Sequence, residues 1–258
     1  MNHRNPNIAL SLAVSLALVF ALAPAAMATT VVQESEVPAA GLDSIVVKAG
    51  SGSARIVTGA DDRILIRVEI SPRHWSDDNP FQAIKEWFLT SSYEDVDELV
   101  EAVRIDTEHK GEGKLRIGLT PSGSSRKDKV REAWTLTVPA RMAVGLTMDA
   151  AEVEISGITG GAKVRAGAGS VQIDVPRGDL EIGLEVGDVD VSSGSGSLGA
   201  VDLQSTVGST HLWMNGARIK YPNPPGPGSE VSVSGNGEDS VRVDVTVGDI
   251  SVNVGGDA

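Results

Sequence analysis

Three aspartates, Asp174, Asp188 and Asp190, and three histidines beyond the N-terminal segment, His74, His109 and His211, are where acid–base or metal chemistry would have to reside. A polysaccharide-cleaving site gathers carboxylates on one face. The three aspartates fit by type, but acidic residues recur along the whole chain and no Lys or Arg is clearly set beside them, as on a solvated face. No two histidines stand at helical ligand spacing, and HExxH, GxSxG and GxxxxGK[ST] are all absent. The run "SSGSGSLGA", Ser192 to Ala200, is followed by no helix signal and reads as a flexible connection rather than a phosphate cradle. With no cysteine, thiol chemistry and disulfides are excluded too. The reading is therefore non-enzymatic, with no catalytic, cofactor-binding or metal-ligating residue assigned.

A candidate binding surface remains. His211 and Trp213 flank an apolar Leu212 and point outward if Leu212 points inward, and Tyr221 follows in a loop with several prolines. An exposed indole there would stack on a sugar ring or a partner surface. The competing and preferred reading has the neighbouring prolines cover it.

These residues sit on a recurring pattern. Gly52, Ala151, Gly169, Gly187, Gly208 and Gly248 each follow one short apolar alternation and precede another. Two residues after them stand Ala54, Val153, Val171, Val189, Thr210 and Ile250; four after them, Ile56, Ile155, Ile173, Val191, Leu212 and Val252. Each copy reads as a strand, a corner and a second strand, the apolar parity shifting by one residue at the corner. Glycine suits such a corner because it tolerates positive φ and close backbone approach. From Ala151 through Gly169 to Gly187 the spacing is 18 residues, which predicts stacked coils about 4.8 Å apart with like residues in ladders. The fold class expected is all-β: a repeat-built β-solenoid of stacked two-strand coils with a small helical insertion. An antiparallel β-sandwich is the competitor.

The residue after each corner is Ser53, Glu152, Ser170, Asp188, Ser209 or Asp249. Stacked in chain order, acid would alternate with serine from Glu152 onward and relieve like-charge repulsion. A row of oxygen ligands for Ca²⁺ is the functional alternative; hydrogen bonding of Ser and Asp to the turn backbone explains the column better.

Two segments interrupt the repeats. "RILIRVEI", "KLRIGLT" and "AWTLTVP" alternate as strands. Between the first two, Asn79 is set to cap a helix carrying Phe81, Ile84 and Phe88 on one face, and Ser92 starts another with Val96, Leu99, Val100 and Val103 on one side. These helices are expected to cover an end or flank of the sheets. The aromatics Trp75, Phe81, Trp87, Phe88 and Tyr93 suit a satellite core, with a ligand pocket as the alternative. "NGARIKYPNPPGPGSEV" can be neither a regular helix nor a central strand.

At 258 residues and net charge −13, the chain does not suit nucleic acid or anionic membrane, both of which need clustered Lys and Arg. Arg4, the apolar run Ile8 to Leu22 and Ala26-Met27-Ala28 read as a cleavable signal peptide, with no later transmembrane segment. The organisation read is residues 1–28 signal peptide and 29–258 one domain: 57–143 strands plus helical insertion, 144–215 regular coils, 216–230 the Pro/Gly-rich loop, 231–254 the last coil.

The stretch "VPARMAVGLTMDAAEVEISGITGGAKVRAGAGSVQIDVPRGDLEIGLEVGDVDV", with its VPA lead-in and Gly-Asp/Ser-Val-x-Val turns, resembles the bacterial putative-adhesin family of repeated β-strands, whose members look like toast-rack β-solenoids. The resemblance spans roughly Leu42 to Val254 and implies architecture; it carries over no site residue. The family's name implies adhesion; with the signal-peptide reading, the expectation is an exported adhesin-like binding or scaffold protein, periplasmic or secreted, with no cofactor assigned, whose partner is an envelope protein or an extracellular polymer. An envelope stress or regulatory sensor is the alternative, and a polysaccharide-active enzyme the third reading.

Overall fold

The computed structural model describes residues 30–73, 93–111, 113–122, 129–175, 177–193, 198–207, 210–214, 217–219, 229–234, 239–247 and 249–254. The described residues are mostly β, with sixteen strands among them in one hydrogen-bonded sheet system. The signal-peptide reading, the helix capped by Asn79 and Tyr221 lie outside the described residues.

The repeats pair as their columns predict. Strands β8 (Ala143–Ser156), β9 (Ala162–Val175) and β10 (Leu180–Ser193) run parallel. Val153 stands opposite Val171, and Val171 opposite Val189, all at most 2% exposed. On β8 the buried set is Val144, Leu146 and Met148 before the corner, and Ala151, Val153 and Ile155 after it, so the parity shift is real. Each copy here is one continuous 14-residue strand rather than two, because interstrand pairing continues past the corner on both sides.

Pairing divides at the corner into two limbs. In the first limb the order is β5 (Arg104–His109), β6 (Lys114–Thr120), β2 (Ser44–Lys48), β8, β9, β10, β15 (Asp239–Val247), β11 (Leu198–Val207), β14 (Ser229–Ser234). The second limb runs β1 (Val31–Pro38), β4 (Arg63–Pro72), β7 (Val130–Val138), β3 (Ser51–Thr58), β8, β9, β10, β16 (Ile250–Val254), β12 (Thr210–Met214), β13 (Ala217–Ile219). Interior pairs are parallel; the pairs at the ends of both orders are antiparallel.

Three expectations need correction. The copy cornered at Gly248 does not follow the one cornered at Gly208: β15 lies between β10 and β11, and β16 between β10 and β12. A further copy exists in the segment read as an interruption. Leu115 and Ile117 on β6 pair with Ile45 and Val47, and Trp134 and Leu136 on β7 with Ala54 and Ile56. Its two halves are separated by extra residues at the corner, which hid the spacing. Finally, 216–230 is not all loop, since β13 and the start of β14 fall within it.

One core of aliphatic side chains runs from Val37 to Val243, with Trp134 its largest member beside the small Ala54. Each fully buried Ile, Leu or Val in these ladders contributes about 1.5–3 kcal/mol. Helix α1 (Tyr93–Ala102) follows the start signal at Ser92 and packs on β4, burying Val100, with Val103 buried just beyond its end. Gln33, itself buried, donates to the Val103 carbonyl and accepts from the Ile105 amide at 2.9 Å, tying β1 to the chain between α1 and β5.

Backbone approach is closest at the corners. Gly52, Gly169 and Gly187 have φ of 145°, 129° and 135°, and a Cβ on them would lie 1.9, 1.8 and 1.7 Å from the carbonyl oxygens of Glu132, Ala151 and Gly169. By contrast, a Cβ on Gly183, in the same strand as Gly187, meets nothing within 4 Å. Gly187→Val is therefore expected to destabilise by about 1–3 kcal/mol or more, while Gly183→Val stays within about 0.5 kcal/mol of the parent. Paired thermal melts check this, and equal melting temperatures for the two variants would refute the corner assignment.

Candidate binding surfaces

The pleat sends alternate residues of each limb outward, so the register sets what each outer face displays. On the second limb one outward row runs Arg55, Glu154, Gln172 and Asp190, and the positions in register with it on the next two strands are Ser251 and His211. The next row runs Ser156, Asp174, Ser192, Asn253, and ends at Trp213, whose antiparallel partner is Arg218. His211 and Trp213 thus hold alternate register positions of β12.

The three candidate aspartates do not converge. Asp190 pairs with Gln172, and Asp174 with Ser192, so neither faces the other across the ladder. Asp188 is committed to the backbone: its Oδ1 accepts the Asp249 amide at 3.1 Å, while the Asp249 carbonyl accepts the Val189 amide at 2.9 Å. That supports the turn-bonding reading of the corner column. It also overturns the alternation of acid with serine, because the intercalated last copy sets Asp249 directly beside Asp188. Among the described residues no group of His, Cys, Asp and Glu could hold a metal ion, and no helix is long and apolar enough to cross a membrane.

The first limb's outer face is mixed in charge. Successive positions Lys163, Glu181, Arg242 and Asp202 alternate in sign across β9, β10, β15 and β11. Glu181 takes a hydrogen bond from Lys163 and an ion pair from Arg165 at 3.2 Å. The Lys163 ammonium, then Arg165, holds the Glu181 carboxyl below the usual glutamate range. Being well exposed, the pair contributes little stability. Gly145 and Gly161 leave a shallow hollow of about 460 Å³ here, flanked by Lys163, Glu181 and Arg242. At the N-terminal end of the second limb a hollow of about 410 Å³ surrounds Leu65, which is 41% exposed, and Arg67, clamped at 2.8 Å by both Glu34 and Glu69.

A third hollow, of about 350 Å³, joins Ser51, Ser53, Arg73, Arg131 and Glu152 around the corner at Gly52. Sequence reading singled out only Ser53 and Glu152 of this set, as members of the corner column. Both arginines lie in the interrupted copy and the strand before it, so only the pairing of β4, β7 and β3 brings them together.

Comparison with solved structures finds a likeness to a putative cell adhesion protein from Clostridium sporogenes, at 15% identity and a TM-score of 0.51, covering 89% of this chain and 100% of that one. At that identity the likeness concerns the fold alone. No protein-family model matches the chain, and no curated protein matches it.

Arg242→Glu would align three acidic positions on β10, β15 and β11. It is expected to cost about 0.2–1 kcal/mol, as a lowered melting temperature that recovers at raised ionic strength. The Glu181 effect has the opposite dependence on acid to that of a raised pKa: its small contribution is present above the unfolded-state pKa and disappears as pH falls through the lower folded-state value. The melting-temperature gap between parent and Glu181→Gln should therefore close on acidification; a gap that widens would refute the pairing.

Proposed function

We propose that this chain is an exported, non-enzymatic, adhesin-like protein of the bacterial cell envelope, built as a β-solenoid of the putative-adhesin kind, whose outer faces bind an extracellular polymer. The observation that carries the reading is the likeness in fold, along nearly the whole of both chains, to a protein described as a putative cell adhesion protein. In-register parallel pairing of copies 18 residues apart supports the solenoid. The dispersal of the candidate aspartates supports a binding role over cleavage. Faces bearing regularly spaced polar groups suit a repetitive ligand, since each strand repeats its contacts about 4.8 Å from the last.

Two measurements test this. Expressed in a Gram-negative host, the protein should accumulate in the periplasm with an intact mass beginning at Thr29; recovery from the cytoplasm at full length would refute export. Purified mature protein should co-sediment with at least one member of a panel of insoluble acidic and neutral polysaccharides without releasing reducing ends. Sugar release that disappears when Asp188 and Asp190 become Asn would overturn the non-enzymatic reading, and failure to bind any polymer would overturn the polymer reading.

A further inference from the structure

The hollow at the Gly52 corner differs from the two described above in the engagement of one cation, Arg131. In the first-limb hollow Lys163 is held by Glu181 and Arg242 by Asp244 at 3.2 Å; in the Leu65 hollow Arg67 is held from both sides. Arg131 is exposed and forms no ion pair with a described residue. Its position is fixed all the same: it lies in the β4–β7 ladder opposite Ser71, one residue before Glu132, which pairs with Gly52. Glu132 is buried and anchors that end of β7, its Oε2 accepting the Gly50 amide at 3.0 Å and the Trp134 indole N–H at 2.9 Å. Arg73 follows β4 and is registered by its amide, which donates to the Lys129 carbonyl at 2.8 Å. Arg73 and Arg131 therefore line one concavity with Ser51, Ser53 and Glu152, in a chain whose net charge is −13.

We propose that this hollow binds a uronic acid residue of an acidic polysaccharide, an inference that names the ligand for the polymer-binding reading above and rests on it. Arginine presents planar paired donors that match a carboxylate. The serine hydroxyls can donate to or accept from the ligand, but Glu152 can only accept while ionised. A ligand filling the hollow must therefore bring hydroxyl donors as well as one negative charge. A sugar carboxylate with neighbouring hydroxyls satisfies both demands, whereas sulfate or phosphate would face Glu152 with no donor to offer or with excess charge. The volume is at the small end of ligand sites, suited to a sugar-sized group. Further along the row from Glu152 stand Asp188 and Asp249, which repel an extended polyanion. The hollow accordingly takes a terminal or isolated uronate rather than a long acidic run laid over the face.

Titration calorimetry of the full mature protein with digalacturonic acid, with its neutral counterpart digalactose and with inorganic sulfate tests the inference. Digalacturonic acid should bind and weaken with added salt, and the other two should not. Arg131→Ala, at an exposed position, should lose about tenfold or more in affinity; Arg131→Lys should recover only part of it. Glu152→Gln should weaken digalacturonic acid, whose hydroxyls lose an ionised acceptor. Sulfate binding as tight as digalacturonic acid, or digalacturonic acid binding unchanged in Arg131→Ala, would overturn the assignment. Polymer retention that survives Arg131→Ala would sink this site and leave the adhesin-like reading intact. Digalacturonic acid binding that depends on Arg131, with no polymer retained, would sink the adhesin-like reading and leave the site.

Discussion

A carbonyl oxygen filling the place of a side chain is the contact on which this architecture rests. At Gly169 and Gly187 the backbone of the preceding copy lies where a Cβ would be, and at Gly52 the Glu132 carbonyl does the same. With both limbs paired in register on either side, the corner cannot relax outward without breaking ladder bonds. Glycine is therefore required by its neighbour as well as by its own φ. Where the corner residue is Ala151, the side chain is buried with Val153 and Ile155 instead. Everything outward follows from this fixed stacking, because which side chains become neighbours is decided by register.

The order of copies follows a different logic from the order of the chain. The copies repeat similar, mostly aliphatic columns in sequence, so the columns alone would accept several stacking orders. The outward charges are less tolerant. Placing β15 between β10 and β11 sets Arg242 between the positions of Glu181 and Asp202, which would otherwise be neighbours of like sign. On the second limb the same insertion puts Asp249 beside Asp188, where the Asp249 amide rather than a cation satisfies the carboxylate. The insertion thus separates two acidic positions on the first limb and brings two together on the second.

How much of this could be read beforehand tracks how local each feature is. Alternation, corner position, parity shift and the helix after Ser92 are encoded within a few residues, and each appears where its residues predict it. The copy formed by β6 and β7 escaped because added residues at its corner break the spacing although its columns are intact. The stacking order escaped because identical columns carry no label for their partners. Of the candidate surface, alternation sets His211 and Trp213 two residues apart on one strand, whereas the Arg73–Arg131 hollow depends on antiparallel pairing at the far end of the sheet, which no short window contains.

The central place of the last-made strands has a bearing on biosynthesis. As the chain leaves the ribosome, β10 and β11 emerge well before β15, so the native neighbour of each along one edge does not yet exist. A nascent polypeptide of this kind can complete its early strands and still hold a gap across its middle until residues 239–254 arrive. A chain lacking residues 239–254 would leave unpaired the edges of β10 and β11 that β15 covers.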